Sequence, residues 1–134
     1  MTRGQRNNNP LNIRRAKGTK WKGQKIEQTD KDFVQFVSLE WGIRAAFCIL
    51  RTYATKYHAV CIEDIITRWA PPTENDTRKY IRDVCRLTGF GGKEGLTEKQ
   101  WPRLVAAMAI IESAVELSDA QINRAFEMFK VKSE

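Results

Sequence analysis

Apolar and polar positions alternate along the chain with a period that changes once, near residue 38. From Ser38 onward Leu39, Ile43, Ala46, Phe47, Leu50, Tyr53, Ala54 and Tyr57 recur at spacings of three and four, which predicts an amphipathic helix with Ser38 at its N-cap. A shorter helix carries Ile62, Ile65, Ile66 and Trp69 and is ended by Pro71 and Pro72. Asn75 or Asp76 can cap a third, whose apolar face is Tyr80, Ile81, Val84 and Leu87 and which stops at Gly89. Thr97 and Gln100 have capping-box spacing, and Pro102 is better placed at the start of the next helix than inside it. That helix contains LVAAMAIIESAVEL, residues 104–117, with eight consecutive apolar residues from Leu104 to Ile111. A helix apolar on all sides is expected at the centre of the core. Ser118 and Gln121 repeat the capping-box spacing ahead of a terminal helix bearing Ile122, Ala125, Phe126 and Phe129.

Before residue 38 the helical period is missing. Residues 1–20, with Gly4, Asn7, Asn8, Asn9, Pro10 and Gly18, read as ordered loop or tail. WKGQKIEQTDKDFVQF consists of two short runs around a turn-like TDKD and predicts a small β-hairpin. The sum is one mainly α domain over residues 1–134 with a small β-hairpin.

Composition narrows the partners. The chain has 23 Lys and Arg against 16 Asp and Glu, a net charge of +7, which favours a polyanion: nucleic acid, an acidic membrane surface or an anionic cell-wall polymer. The basic residues are spread along the chain and no recognition-helix motif is present, so no specific nucleic-acid partner is expected. Cys48, Cys61 and Cys85 form no CxxC pair and the single histidine, His58, stands apart from them, so no metal is expected. The N-terminus, MTRGQRNNNPLNIRR, lacks the apolar segment of a signal peptide, which predicts synthesis in the bacterial cytoplasm without one.

Glu112 ends the apolar run. Loss of hydration and the negative end of the helix dipole both disfavour its charged form, and a carboxyl that keeps its proton near neutral pH suits a general acid. On pattern alone a solvated last-turn carboxylate is the more common case. Glu40, in the first turn of its own helix, suits capping, and Glu116 and Asp119 read as solvated.

Three segments shift that balance: NNNPLNIRRAKGTKWKGQ, FVQFVSLEWGIRAAFCILRTY and RWAPPTENDTRKYI. Together, over about residues 3–88, they resemble a phage-encoded, lysozyme-like family, often labelled phage virion structural protein. Its pattern is close to RNNNPGNIR, a WxG turn, an aromatic strand leading to a GIRA helix, and WAPPxENDTxxYI. In goose-type lysozymes and lytic transglycosylases the catalytic Glu-Ser precedes the groove motifs. Here AIIES follows them, so the resemblance implies a circularly permuted lysozyme-like fold with Glu112 at the catalytic position. Two residues depart from the pattern: Leu11, where the family has glycine, and Ala114, where glycine usually follows Glu-Ser or Glu-Asn.

The resemblance implies a peptidoglycan-degrading enzyme, an endolysin or virion-associated lysin, that needs no cofactor. It would act as a monomer on glycan strands and the anionic cell envelope. As a lytic transglycosylase it would use Glu112 alone as acid and then base on the β-1,4 bond between N-acetylmuramic acid and N-acetylglucosamine; muramidase-type hydrolysis is the alternative. Asn9, Asn12, Ser113, Asp76, Thr77 and Tyr80 would line the substrate site, with Trp69 or Trp21 stacking on a sugar. Asp76 is the least weak candidate for a second carboxylate. Each has a plainer reading as turn former, helix cap or core aromatic. The protein would reach the wall by holin release or in a phage particle. A non-catalytic virion structural or wall-binding protein of the same fold is the rival expectation.

Overall fold

The computed structural model of the protein describes residues 1–131. Among the described residues there are six α-helices: α1 (Arg3–Arg6), α2 (Leu39–Tyr57), α3 (Ile62–Trp69), α4 (Thr77–Thr88), α5 (Trp101–Ser113) and α6 (Asp119–Lys130), with a 3₁₀ turn over Glu98–Gln100 before α5. The mainly helical expectation holds. Among the described residues no helix is long and apolar enough to cross a membrane.

Each helix end follows from a local residue. Asp76 accepts from the Lys79 amide at 3.2 Å and starts α4, and Gly89 ends it in the left-handed region at φ 81°. Thr97 and Gln100 close a capping box on the 3₁₀ turn, which lets Trp101 and Pro102 open α5, where the proline ring displaces no helical hydrogen bond. Ser118 and Gln121 cap α6 reciprocally. Ser38 stands at the N-cap of α2, but its side chain makes no capping bond.

The core is built on α5. Leu104, Val105, Met108 and Ala109 are fully buried, and the helix is flanked by α2, α4 and α6. Its run is not buried on all sides, since Ile110 is exposed. On α2, Ile43, Ala46, Phe47 and Leu50 point inward, and the Phe47 ring meets Phe126 at 5.1 Å and Phe129 at 5.7 Å on α6. Apolar burial and aromatic contact of this kind supply most of the driving force for a helical domain.

The predicted β-hairpin is not seen. Residues 21–36 form no ladder; two isolated antiparallel bridges, Arg14 with Phe33 and Gln24 with Phe36, replace it. The second run of the expected hairpin pairs in turn with two different partners. Val34 N donates to Ile13 O at 3.0 Å and Phe36 N to Asn7 O at 2.9 Å, while Lys25 N donates to Gln35 O at 2.9 Å. Side chains take the remaining positions: Gln28 accepts from Gln35 N at 2.9 Å and donates to Gln35 O at 2.9 Å. Backbone groups satisfied in this way have no need of a continuous ladder.

Residues 1–20 are ordered, and they also carry the short helix α1, which the ordered-loop reading lacks. Thr2 and Gln5 form a capping box around α1, an S/T-x-x-E/Q spacing that is visible in the sequence. Close approach then docks this segment on the helices. A Cβ at Gly4 would collide with the Ser113 side chain, and one at Gly42 with the Asn8 carbonyl. The Asp30 carboxylate gathers the segment by accepting from Arg3 Nε at 2.7 Å, Asn7 Nδ2 at 3.0 Å and the amides of Asp32 and Phe33 at 2.9 and 3.0 Å. Arg3 beside it holds the Asp30 carboxyl well below the usual carboxylate range.

Candidate active site

A cleft of about 510 Å³ opens where the N-terminal segment meets the end of α5. Glu112, on the last turn of α5, contributes its carboxyl to this cleft. Asn12 Nδ2 donates to Glu112 Oε1 at 3.1 Å and to the Glu112 carbonyl at 3.0 Å. Tyr80 OH, reaching across from α4, lies 3.0 Å from Glu112 Oε2. Three elements far apart in sequence therefore converge on one carboxyl.

Burial pushes the Glu112 carboxyl above the ordinary glutamate range, and the hydrogen bonds from Asn12 and Tyr80 and the charge of Arg14 oppose that shift. Tyr80 is pushed well above the usual tyrosine range, first by its own burial and then by Glu112, so it stays a neutral phenol. Asn12 Nδ2 donates to Oε1 and Tyr80 OH donates to Oε2, so both carboxyl oxygens are held by a neighbour.

Local backbone conformation positions Asn12. It sits in the left-handed region at φ 51°, which asparagine tolerates better than most residues, and Asn8 does the same at φ 52°. Leu11, the departure from the family pattern, has no such torsion. Its side chain is fully buried in the core, so the special conformation lies one residue further on. Ala114 does occupy a left-handed position, φ 55°, closing α5 with its amide on Ile110 O at 3.0 Å. A glycine there would be free of the Cβ strain that alanine carries.

The other expected site residues divide. Trp69 and Trp21 line the cleft, with Trp69 Nε1 donating to Leu11 O at 3.3 Å. Asn9 does not face it: the residue is 0% exposed, and both amide hydrogens are used on Ile13 O and Val34 O at 2.9 Å. Ser113 is buried and donates to Pro10 O at 2.8 Å; Thr77 is buried and donates to Ala70 O at 2.6 Å. These three hold the walls rather than present groups to the cleft. Asp76 caps α4 and lines a neighbouring cavity. Glu40 is engaged by Arg124 at 2.8 Å, which lowers its pKa, and lies outside the cleft lining.

The lining residues that the sequence-based expectation lacked include Arg14, Arg68, Tyr53 and Glu74. Arg14 stacks on Phe33 at 5.0 Å and Arg68 on Tyr57 at 3.5 Å. Glu74 comes from the PPTEND stretch, whose carboxylates have no periodic signal to rank one above another. Among the described residues no three His, Cys, Asp or Glu side chains cluster as a metal site.

Protein P5 of Pseudoalteromonas phage PM2 is 44% identical to this chain over 113 residues, covering 83% of this chain and 71% of that protein. The chain belongs to the Protein P5 family. That family thus has a phage-encoded member, in keeping with the phage origin expected from the sequence. The sensor histidine kinase WalK of Bacillus subtilis is 29% identical over 103 residues, 73% of this chain; the chain spans only 16% of that kinase. No protein-family model matches the chain. In this member of the Protein P5 family, the Glu112 carboxyl held between Asn12 and Tyr80 is the arrangement with the clearest chemical capacity.

Proposed function

We propose that the protein is a phage peptidoglycan-degrading enzyme of lysozyme-like, circularly permuted fold, with Glu112 as its acid. The observation that carries this reading is the Glu112 carboxyl at the cleft, shifted toward its protonated form by burial and fixed by Asn12 and Tyr80. Glu112 gives its proton to the oxygen of the β-1,4 bond between N-acetylmuramic acid and N-acetylglucosamine as the C1–O bond breaks. The resulting carboxylate then takes the proton of the muramic 6-hydroxyl while that oxygen attacks C1, leaving a 1,6-anhydro end and consuming no water. Trp21 and Trp69 offer faces for sugar rings. The protein acts as a monomer on an anionic envelope, which its net charge of +7 favours. Release through a holin or carriage in a phage particle brings it to the wall.

One observation favours a hydrolytic course instead. Glu74 lines the same cleft as Glu112 and supplies a second carboxylate that can activate water, the position for which Asp76 was the sequence-based candidate.

Digestion of purified peptidoglycan followed by fragment masses tests both courses. Anhydro-muropeptides support transglycosylation, and fragments heavier by one water support hydrolysis. No soluble fragments would mean a virion structural or wall-binding protein. Glu112→Gln should fold normally and lose activity by about a thousandfold or more. Lysis at the wild-type rate by that variant would remove Glu112 from the chemistry.

A further inference from the structure

A second cavity neighbours the cleft at the loop of residues 71–76. Asn75 lines the first cleft on one side and the second cavity, of about 750 Å³, on the other. Arg78, Arg82 and Lys93 stand in the wall of this second cavity, with Glu63 and Asp76 as its acidic members. Asp76 is partly engaged as the α4 cap, and Glu63 lies against Gly92 at the cavity margin.

Helix α4 carries two basic faces that are treated differently. On one face Lys79 and Arg86 both reach Asp83, at 2.9 and 3.5 Å, and neutralise it. On the other, Arg78 and Arg82 are one turn apart and exposed. Among the described residues neither they nor Lys93 meet a carboxylate within ion-pair distance. Like charges at this spacing repel and weaken a helix, and here the unneutralised pair lines a cavity. A guanidinium fork in that setting matches a carboxylate in charge and geometry.

We propose that the second cavity extends the substrate groove and binds the carboxylates of the peptide stems on a glycan strand whose sugar backbone lies in the first cleft. The inference rests on the peptidoglycan reading above. A polymer long enough to cross Asn75 engages both cavities at once, and the link between them raises the effective concentration of each contact. The paired face of α4 takes no part.

Co-sedimentation with insoluble peptidoglycan, intact or with its stem carboxylates blocked as methylamides by carbodiimide coupling, which leaves the cross-links in place, tests this independently of cleavage. The wild-type protein should bind intact walls more tightly than blocked ones. Arg78→Ala with Arg82→Ala should weaken binding to intact walls about fivefold and leave binding to blocked walls unchanged. Lys79→Ala with Arg86→Ala removes the same charge from the other face and should retain the wild-type preference. Equal losses on both walls, equal losses from both double variants, or no preference in the wild type would each overturn the proposal. If Glu112→Gln still lyses walls while the stem preference depends on Arg78 and Arg82, the cleavage reading fails and the stem site stands. If cleavage depends on Glu112 but the Arg78 and Arg82 variant binds intact walls like wild type, the stem site fails alone.

Discussion

The segment before α2 and the helices after it rest on opposite balances of polar and apolar contact. In the helices, α2, α5 and α6 bring Phe47, Leu104, Met108 and Phe129 together, and their backbone groups are satisfied within each helix. In the segment, Asn7, Asn9, Asp30 and Gln35 spend their side chains on backbone and on one another, standing in for a sheet that never forms. Apolar contacts tolerate change of shape if volume is kept, whereas a buried amide has no isostere that keeps its hydrogen bonds. The candidate site lies on the seam, where Asn12 from the polar segment meets Glu112 from the apolar helix.

The comparison can be tested most strongly by paired substitutions. Leu104→Ala and Asn9→Ala should each cost about 3 kcal/mol in denaturant unfolding, one through a cavity and the other through orphaned Ile13 and Val34 groups. Volume restoration should separate them: Leu104→Met should recover most of the loss, and Asn9→Leu none. Recovery by Asn9→Leu would show that the polar segment is held by packing after all.

A smaller effect is expected at the end of α5. Ala114→Gly should stabilise the protein by about 0.5–1 kcal/mol, because the left-handed cap no longer carries a Cβ. A lower melting temperature for this variant would mean that Ala114 contributes packing that outweighs its strain.

The smallest effect concerns the seam. Since burial raises the folded-state pKa of Glu112, its contribution to stability is full below the ordinary glutamate pKa and declines as pH rises through the raised value. Glutamine does not titrate, and it can accept from Asn12 while its amide donates to Tyr80. Glu112→Gln should therefore match the wild type at acid pH and become the more stable of the two by about pH 8, as read by thermal melts at each pH. A variant less stable than wild type at alkaline pH would mean that the charged carboxylate is favoured by its neighbours.

The helices were legible because their signals are local and repeated. Periodic apolar residues, Asp76, Gly89, the Thr97 and Gln100 pair and the Ser118 and Gln121 pair each fix an element within one or two turns. The N-terminal segment was misread in two ways. Thr2 and Gln5 show the same capping spacing, but no apolar period follows to draw attention to it. The alternation in residues 21–36 resembles a hairpin, yet Phe36 pairs with Asn7 and Gln24 rather than along one ladder, because side-chain amides compete for those backbone groups. In the cleft, Asn12 and Tyr80 meet the Glu112 carboxyl, whereas Asn9, Ser113 and Thr77 turn into the walls.

The sequence by itself determined the mainly helical class, several helix starts and the apolar character of α5, since period and capping act over a few residues, whereas α5 stops at Ser113, short of the 104–117 stretch that the pattern suggested. It also placed an ionisable residue at the edge of that apolar run. Only the tertiary structure decided that Glu112 is drawn to the cleft instead of solvated, because Asn12 and Tyr80 lie 100 and 32 residues away in the chain. It decided as well which polar side chains stay free, since a hydroxyl or amide faces the cleft or a backbone carbonyl according to neighbours that no local pattern specifies.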